Sequence, residues 1–217
     1  MSRNFPNKYD QLSSQFTERE YKAPATYFGH RLEIIRTWGP PLQEGDSILH
    51  IGCGDGYLTR MLADKGYKVH ACDLSEGMLH QTQKRCSGLP VTTSLCDVNR
   101  PETLDGPPVD CIVAIMRSFF HYCELPQTTL QTLHRRARKK LIIDVDPREY
   151  SVRDATRALK QSGFSNVQMR AFLAPQTQVL PNCLQRFLFK METVSWFYKP
   201  LLWKKFHLLL LGHADER

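Results

Sequence analysis

The chain has 217 residues, 41% of them apolar and 24% charged, with a formal net charge of +7 at pH 7. These proportions fit one soluble domain with a sizeable core, and they exclude a collagenous, low-complexity or disordered chain. The seven cysteines are scattered and never form a C-x-x-C pair, which points to reduced thiols in the cytoplasm and away from disulfides or a zinc site. The amino-terminal stretch has no apolar core of the secretory kind, and no apolar run reaches the ~18 residues of a membrane span.

Residues 1–26 are polar with spaced aromatics, Phe5, Tyr9, Phe16 and Tyr21. They read as a lid of one or two short helices lying outside any sheet. Residues 27–38 carry apolar side chains at 28, 32, 35 and 38, a helical period. Gly39-Pro40-Pro41 ends that helix. A short apolar run follows (Ile48, Leu49, Ile51) and stops at Gly52, Gly54 and Gly56, after which helix formers occupy 57–65. This is a buried strand, a tight turn and a helix start, with amide N–H groups aimed at whatever sits above the loop.

A second strand over 67–72 ends in Asp73, 21 residues beyond Gly52. Ser75 caps a helix running to about 85, and a third strand over 91–95 leads into Cys96, Asp97 and Val98. The fourth strand, 109–115, is nearly all apolar, as suits the middle of a parallel sheet. At its mouth stand Met116, Arg117, His121 and Tyr122. A helix over 126–137, a strand over 140–145, a helix over 151–161 and strands over 166–172 and 207–211 complete the alternation. Strand–helix alternation with a closing pair of strands predicts a doubly wound, mostly parallel α/β sheet of seven strands with the last one antiparallel.

Arg135, Arg136, Arg138, Lys139 and Lys140 place five cations in six positions. The favoured reading is a helix carboxyl end followed by a solvated strand entry; an anionic surface is the alternative. Residues 179–205 form an insertion where a plain hairpin would suffice. Leu180, Leu184, Leu188 and Met191 make one helical row, and Phe187, Val194 and Tyr198 the next. Arg186, Lys190, Lys199, Lys204 and Lys205 flank Trp196, Phe197 and Trp203. The element either covers the sheet edge and the mouth of the site or touches a membrane surface between 180 and 205.

A dinucleotide loop would carry its third glycine at position 57, where Tyr57 stands. The spacing of Gly52, Gly54 and Gly56, with Asp73 at the next strand tip, resembles the class I S-adenosylmethionine-dependent methyltransferases, in their small-molecule branch. The pattern covers about 45–172. It implies a Rossmann-like core over 45–178, a lid over 1–40, the insertion, and the strand order 3-2-1-4-5-7-6, all in one domain over 1–217. It also implies S-adenosyl-L-methionine as cofactor, with Gly52, Cys53, Gly54 and Tyr57 at the loop and Asp73, Leu74 and Met78 about the ribose. Asp97 and Val98 fall to the adenine, and Met116 and Arg117 to the far side. Tyr9-Asp10 matches half of the family's lid motif, Phe16 replacing its second tyrosine.

His50 stands where the family usually has an acid beneath the cofactor ammonium, so either a packed histidine or a substrate role is open. The Asn/Asp-Pro-Pro-aromatic motif of nucleic-acid amino-methylases is absent after the fourth strand, which disfavours a nucleic-acid partner. His121 is the best placed general base, with Tyr27, Asp144 and Asp146 behind it. The expected acceptor is small and apolar or aromatic, methylated at oxygen, with no metal. A membrane-surface lipid or quinone acceptor, or a non-catalytic cofactor-binding scaffold, are the alternatives. Arg117 is expected either to hold an acceptor carboxylate or to pair with Glu18 or Glu20.

Overall fold

Apolar side chains in the strands alternate between two covered faces, so the sheet has helices on both sides. The computed structural model describes residue 10, residues 13–198, residue 200 and residues 207–214. Seven strands are present: β1 (Ser47–Ile51), β2 (Lys68–Asp73), β3 (Val91–Leu95), β4 (Val109–Ala114), β5 (Ala137–Val145), β6 (Ser165–Phe172) and β7 (His207–His213). Their order is β3-β2-β1-β4-β5-β7-β6, and β7 runs antiparallel to both its neighbours while the other pairs are parallel. This is the expected architecture and order.

The helices are α1 (Phe16–Glu20), α2 (Pro24–Thr37), α3 (Tyr57–Ala63), α4 (Glu76–Arg85), α5 (Phe119–Tyr122), α6 (Pro126–Arg136), α7 (Val152–Gln161), α8 (Asn182–Met191) and α9 (Ser195–Tyr198). On one face Leu49, Ile112, Ile143 and Leu210 meet Leu130 and Leu133 of α6 and Leu159 of α7. On the other Ile48, Val113, Ile142 and Leu209 meet Leu32 and Ile35 of α2 and Leu58 and Leu62 of α3. Each fully buried side chain of this size contributes roughly 1.5–3 kcal/mol. Ser75 accepts from the Met78 amide at 3.1 Å and so caps α4.

The basic run is not a solvated strand entry. β5 begins at Ala137, directly after α6, and draws the cations inward. The Lys140 ammonium is fully buried and donates to the Trp38 carbonyl at 2.7 Å. Lys139 reaches Asp46 at 2.7 Å, and buried Arg136 donates to the carbonyls of Leu104 and Pro107. Three of the five cations therefore serve the fold, which removes the basis for an anionic surface there.

The insertion also differs from its expected face. Gln185 and Glu192 are buried while Leu184 is 42% exposed, because α8 docks through a buried carboxylate, with Leu188 of its leucine row packed on the core. Glu192 takes Arg170 at 2.6 Å, His30 at 2.8 Å and the Leu173 amide at 2.8 Å. Phe189 stacks on the His30 ring at 3.5 Å. Tyr9, Lys199, Trp203, Lys204 and Lys205 lie outside the described residues.

Candidate functional site

The glycine loop between β1 and α3 is built on close approach. A side chain at Gly52 would meet the Met116 sulfur at 2.9 Å, and one at Gly56 would meet the Thr82 backbone at 2.8 Å. Both glycines have φ in the left-handed region, 68° and 82°, where other residues are strained. Asp73 at the tip of β2 braces this loop: its Oδ2 accepts from the Gly54 amide at 2.9 Å and its Oδ1 from the Ser75 amide at 3.0 Å. Burial pushes its pKa up, and those amides pull the other way.

A second strained turn follows β4. Arg117 and Ser118 adopt φ of 64° and 85°, uncommon for residues with a side chain. Asp144, buried at the end of β5, holds them there. Its Oδ1 accepts from the amides of Met116 and Phe119, each at 3.1 Å, and its Oδ2 from that of Ser118 at 2.7 Å. Asp144 thus anchors the backbone that carries Met116, Arg117 and α5.

The lid is fastened to this rim at three places. Asp10 accepts from the Ser75 hydroxyl and, at 3.0 Å, from the Gly77 amide. Thr17 donates its hydroxyl to Asp55 in the glycine loop at 2.7 Å, and Arg85 grips the same carboxylate at 2.8 Å. Arg117 pairs with Glu20, one of the two lid acids expected for it. The Phe16 ring lies over Gly54 at 3.7 Å from where a β-carbon would stand. Tyr21, Tyr27 and Phe28 pack edge and face behind it, with centroids 4.7 to 5.3 Å apart.

These elements enclose a cavity of about 940 Å³ over the carboxyl ends of the strands. Gly52, Cys53, Gly54, Tyr57, Asp73, Leu74, Met78, Asp97, Val98, Met116, Arg117 and His121 each line it. Of the other candidates Tyr27 and Asp144 also line it; Asp146 does not, and is held by Arg148. No described residue of the insertion lines it, so the cover expected over the mouth of the site is not formed by those residues; α8 is drawn instead onto α2 and β6 by Glu192.

His50 lies beneath the loop, 3% exposed, with Nδ1 at 2.8 Å from the Thr59 hydroxyl. Burial, aided by nearby Arg31, pushes its pKa down to about 3, so the imidazole is neutral. His121 sits at the mouth with Nδ1 at 3.1 Å from Glu149. Cys53 is buried, and burial pushes its thiol up. Arg31, His207 and Asp55 escaped the sequence reading; the signal for Arg31 was a cation one turn from Tyr27 on the apolar side of a helix. Among the described residues no group of three or more His, Cys, Asp or Glu could hold a metal ion.

Three comparisons with known proteins fit this geometry. A family model described as a methyltransferase domain matches residues 48–140. The resemblance to the class I S-adenosylmethionine-dependent methyltransferases, whose cofactor is S-adenosylmethionine, is therefore borne out over residues 48–140 and in the fold. A malonyl-acyl-carrier-protein O-methyltransferase of Anoxybacillus flavithermus is 29% identical over 136 residues, 59% of this chain and 51% of that protein. The chain spans about half the length of the curated relatives it matches first. A TehB-like S-adenosylmethionine-dependent methyltransferase from Corynebacterium glutamicum superposes with a TM-score of 0.65 at 14% identity, covering 98% of this chain and all of that one. The 4+2 cyclase SpnF superposes with a TM-score of 0.68 at 14% identity, covering 98% of this chain and 96% of that one. No described helix is long and apolar enough to cross a membrane.

Proposed function

We propose that the protein transfers a methyl group from S-adenosylmethionine to an oxygen of a small, mainly apolar or aromatic acceptor. The observation that carries this reading is the single cavity, which joins the glycine loop and the acid-tipped strands to His121 and the aromatic lid. Its volume of about 940 Å³ is at the upper end for small-molecule sites, room for a cofactor and a modest acceptor together.

The residues fit the cofactor. Each Asp73 oxygen accepts one amide and can accept a second donor, as a ribose diol offers. Asp97 and Val98 would border the adenine, Leu74 and Met78 the ribose, and the backbone of Gly52–Gly54 the amino-acid arm, with Cys53, Tyr57, Met116 and Arg117 closing the sides. The bound sulfonium supplies an activated methyl and a neutral leaving group. What remains for the chain is to hold the acceptor in line and exclude water, and the fastened lid does both. His121 removes the proton of a hydroxyl acceptor: Glu149 on Nδ1 sets the tautomer, so the lone pair falls on Nε2.

Calorimetry with S-adenosylhomocysteine tests the seat. The parent should bind, and Asp73→Ala should lose about 3 kcal/mol, roughly 150-fold, from two charge-assisted hydrogen bonds. Unchanged affinity would move the site elsewhere. His121→Ala should slow methylation of a hydroxyl acceptor about 10²- to 10⁴-fold while S-adenosylhomocysteine affinity holds. The rival, a non-catalytic scaffold, draws on His50 in place of an acid and on the fold's use by a cyclase. Failure of the parent to bind S-adenosylhomocysteine would favour it.

A lipid or quinone acceptor at a membrane surface has one observation in its favour. Leu184, Phe187 and Trp196 are exposed beside Arg186 and Lys190; flotation with anionic vesicles separates that case. Cytoplasmic placement rests on the free thiols, six of them buried.

A further inference from the structure

Charge is unevenly spread along this chain. From 155 to 214 it carries eight lysines and arginines and a single acid, Glu192. That acid is buried and occupied by Arg170, His30 and the Leu173 amide, so it offers no negative charge to the surface. The same clasp sets the roll of α8. Leu188 and Phe189 turn onto the core, while Leu184, Arg186, Phe187 and Lys190 face outward. Among the described residues no carboxylate pairs with Arg186 or Lys190.

The apolar part of this outward face is continuous. Phe187 meets Phe197 edge to face with centroids 5.5 Å apart, and Phe197 meets Trp196 at 6.2 Å. Phe197 packs on the core and anchors the group. Phe187 nevertheless stays 50% exposed and Trp196 74%. A cluster of large apolar side chains held in water and rimmed by cations marks an interaction surface, because soluble folds rarely leave such a patch idle. Its place in the fold is fixed too. The Leu173 amide that Glu192 holds directly follows the end of β6, so the face stands at the sheet edge over which the cavity lies.

We propose that the outer face of α8 and α9 docks the protein on an anionic phospholipid bilayer. This concerns where the protein sits, and it holds whichever acceptor is methylated. Charge selects the occupant. Cations without acids match phosphate-bearing headgroups, and each one near a negative membrane surface strengthens binding roughly fivefold. Phe187 and Trp196 suit the boundary between headgroups and acyl chains, while Arg186 and Lys190 keep their charges at phosphate level on long stems. A second copy of the chain is the poorer occupant, since a two-fold contact would set these cations against their own kind.

Flotation of the full chain tests this with vesicles of phosphatidylcholine alone and of phosphatidylcholine mixed equally with phosphatidylglycerol. The parent should bind the mixed vesicles about tenfold or more tightly than the neutral ones, and less so as salt rises. Its tryptophan emission should shift to the blue on binding. Arg186→Gln with Lys190→Gln should weaken binding to the mixed vesicles about 25-fold. Phe187→Ser with Trp196→Ser should also weaken it and remove most of the emission shift, and an unchanged Tm certifies the folding of both pairs. A parent that binds neither vesicle, or binds both alike, overturns the proposal. So does a preference that both pairs of substitutions leave intact. A parent that is dimeric by light scattering and becomes monomeric with Trp196→Ser overturns it as well, since the face is then a subunit contact. None of these readouts uses S-adenosylhomocysteine, so failure here and failure of the methyl-transfer reading are told apart.

Discussion

Asp144→Asn changes one buried atom and nothing in volume, yet it should be among the most damaging single substitutions in the chain. Oδ1 of Asp144 serves two amides and Oδ2 one. An asparagine can set its oxygen toward the pair, but its NH₂ then faces the Ser118 amide, donor against donor. The loss is one charge-assisted hydrogen bond, about 1.5–3 kcal/mol, together with weakening of the other two. The turn it restrains is already strained at Arg117 and Ser118, so little else opposes its relaxation. A cost of about 3 kcal/mol should lower Tm by about 6–12 °C for a domain of this size, and move the urea midpoint at constant slope. The relaxed turn would also shift Met116 and Arg117 away from the cavity, so S-adenosylhomocysteine should bind more weakly in calorimetry. A variant within about 0.5 kcal/mol of the parent, with unchanged affinity, would show that the three amides do not depend on this carboxylate.

Further outcomes can be checked together. His50 is neutral when folded, with its pKa near 3 against 6.5 in the unfolded chain. The unfolded state therefore binds the extra proton, and stability is full above pH 6.5 and falls by up to about 1.4 kcal/mol per pH unit as pH drops toward 3. His50→Asn should flatten that slope between pH 6.5 and 5 in urea titrations, and an unchanged slope would refute the assignment. Gly56→Ala should cost about 2 kcal/mol or more, from φ strain plus the Thr82 collision, read by denaturation; a neutral result would mean α4 shifts freely. Deleting residues 1–20 should slow turnover more than it lowers Tm, and equal turnover would end the lid assignment.

What could be read in the sequence was what local chemistry decides. The glycine loop, the Asp73 tip and the apolar strands each depend on residues within a few positions, and all seven strands appear where their patterns place them. The order β5-β7-β6 came only through family resemblance. Burial of charge was the blind spot: Lys140, Arg136 and Glu192 look solvated in sequence, and their burial depends on carbonyls and amides contributed by distant segments. Arg31 was hidden for the same reason, since rings from β6 and its own helix shelter it. His121 was found because strand mouths are ligand sites, but Glu149, which orients it, gave no local sign.

Reversal of β7 has a consequence for how this molecule can diverge. Because β6 is parallel to β5, it ends at Phe172 on the ligand edge, and β7 begins at His207 on that same edge. The whole intervening segment is therefore rooted at the rim, like a handle fixed at both ends to one side of a lid. Apart from Glu192, which ties it to β6 and α2, its length and composition can drift without disturbing the sheet or the β2 and β3 end of the cavity. The segment that joins β6 to β7 and the lining of the cavity are, in that sense, separately heritable parts of one fold.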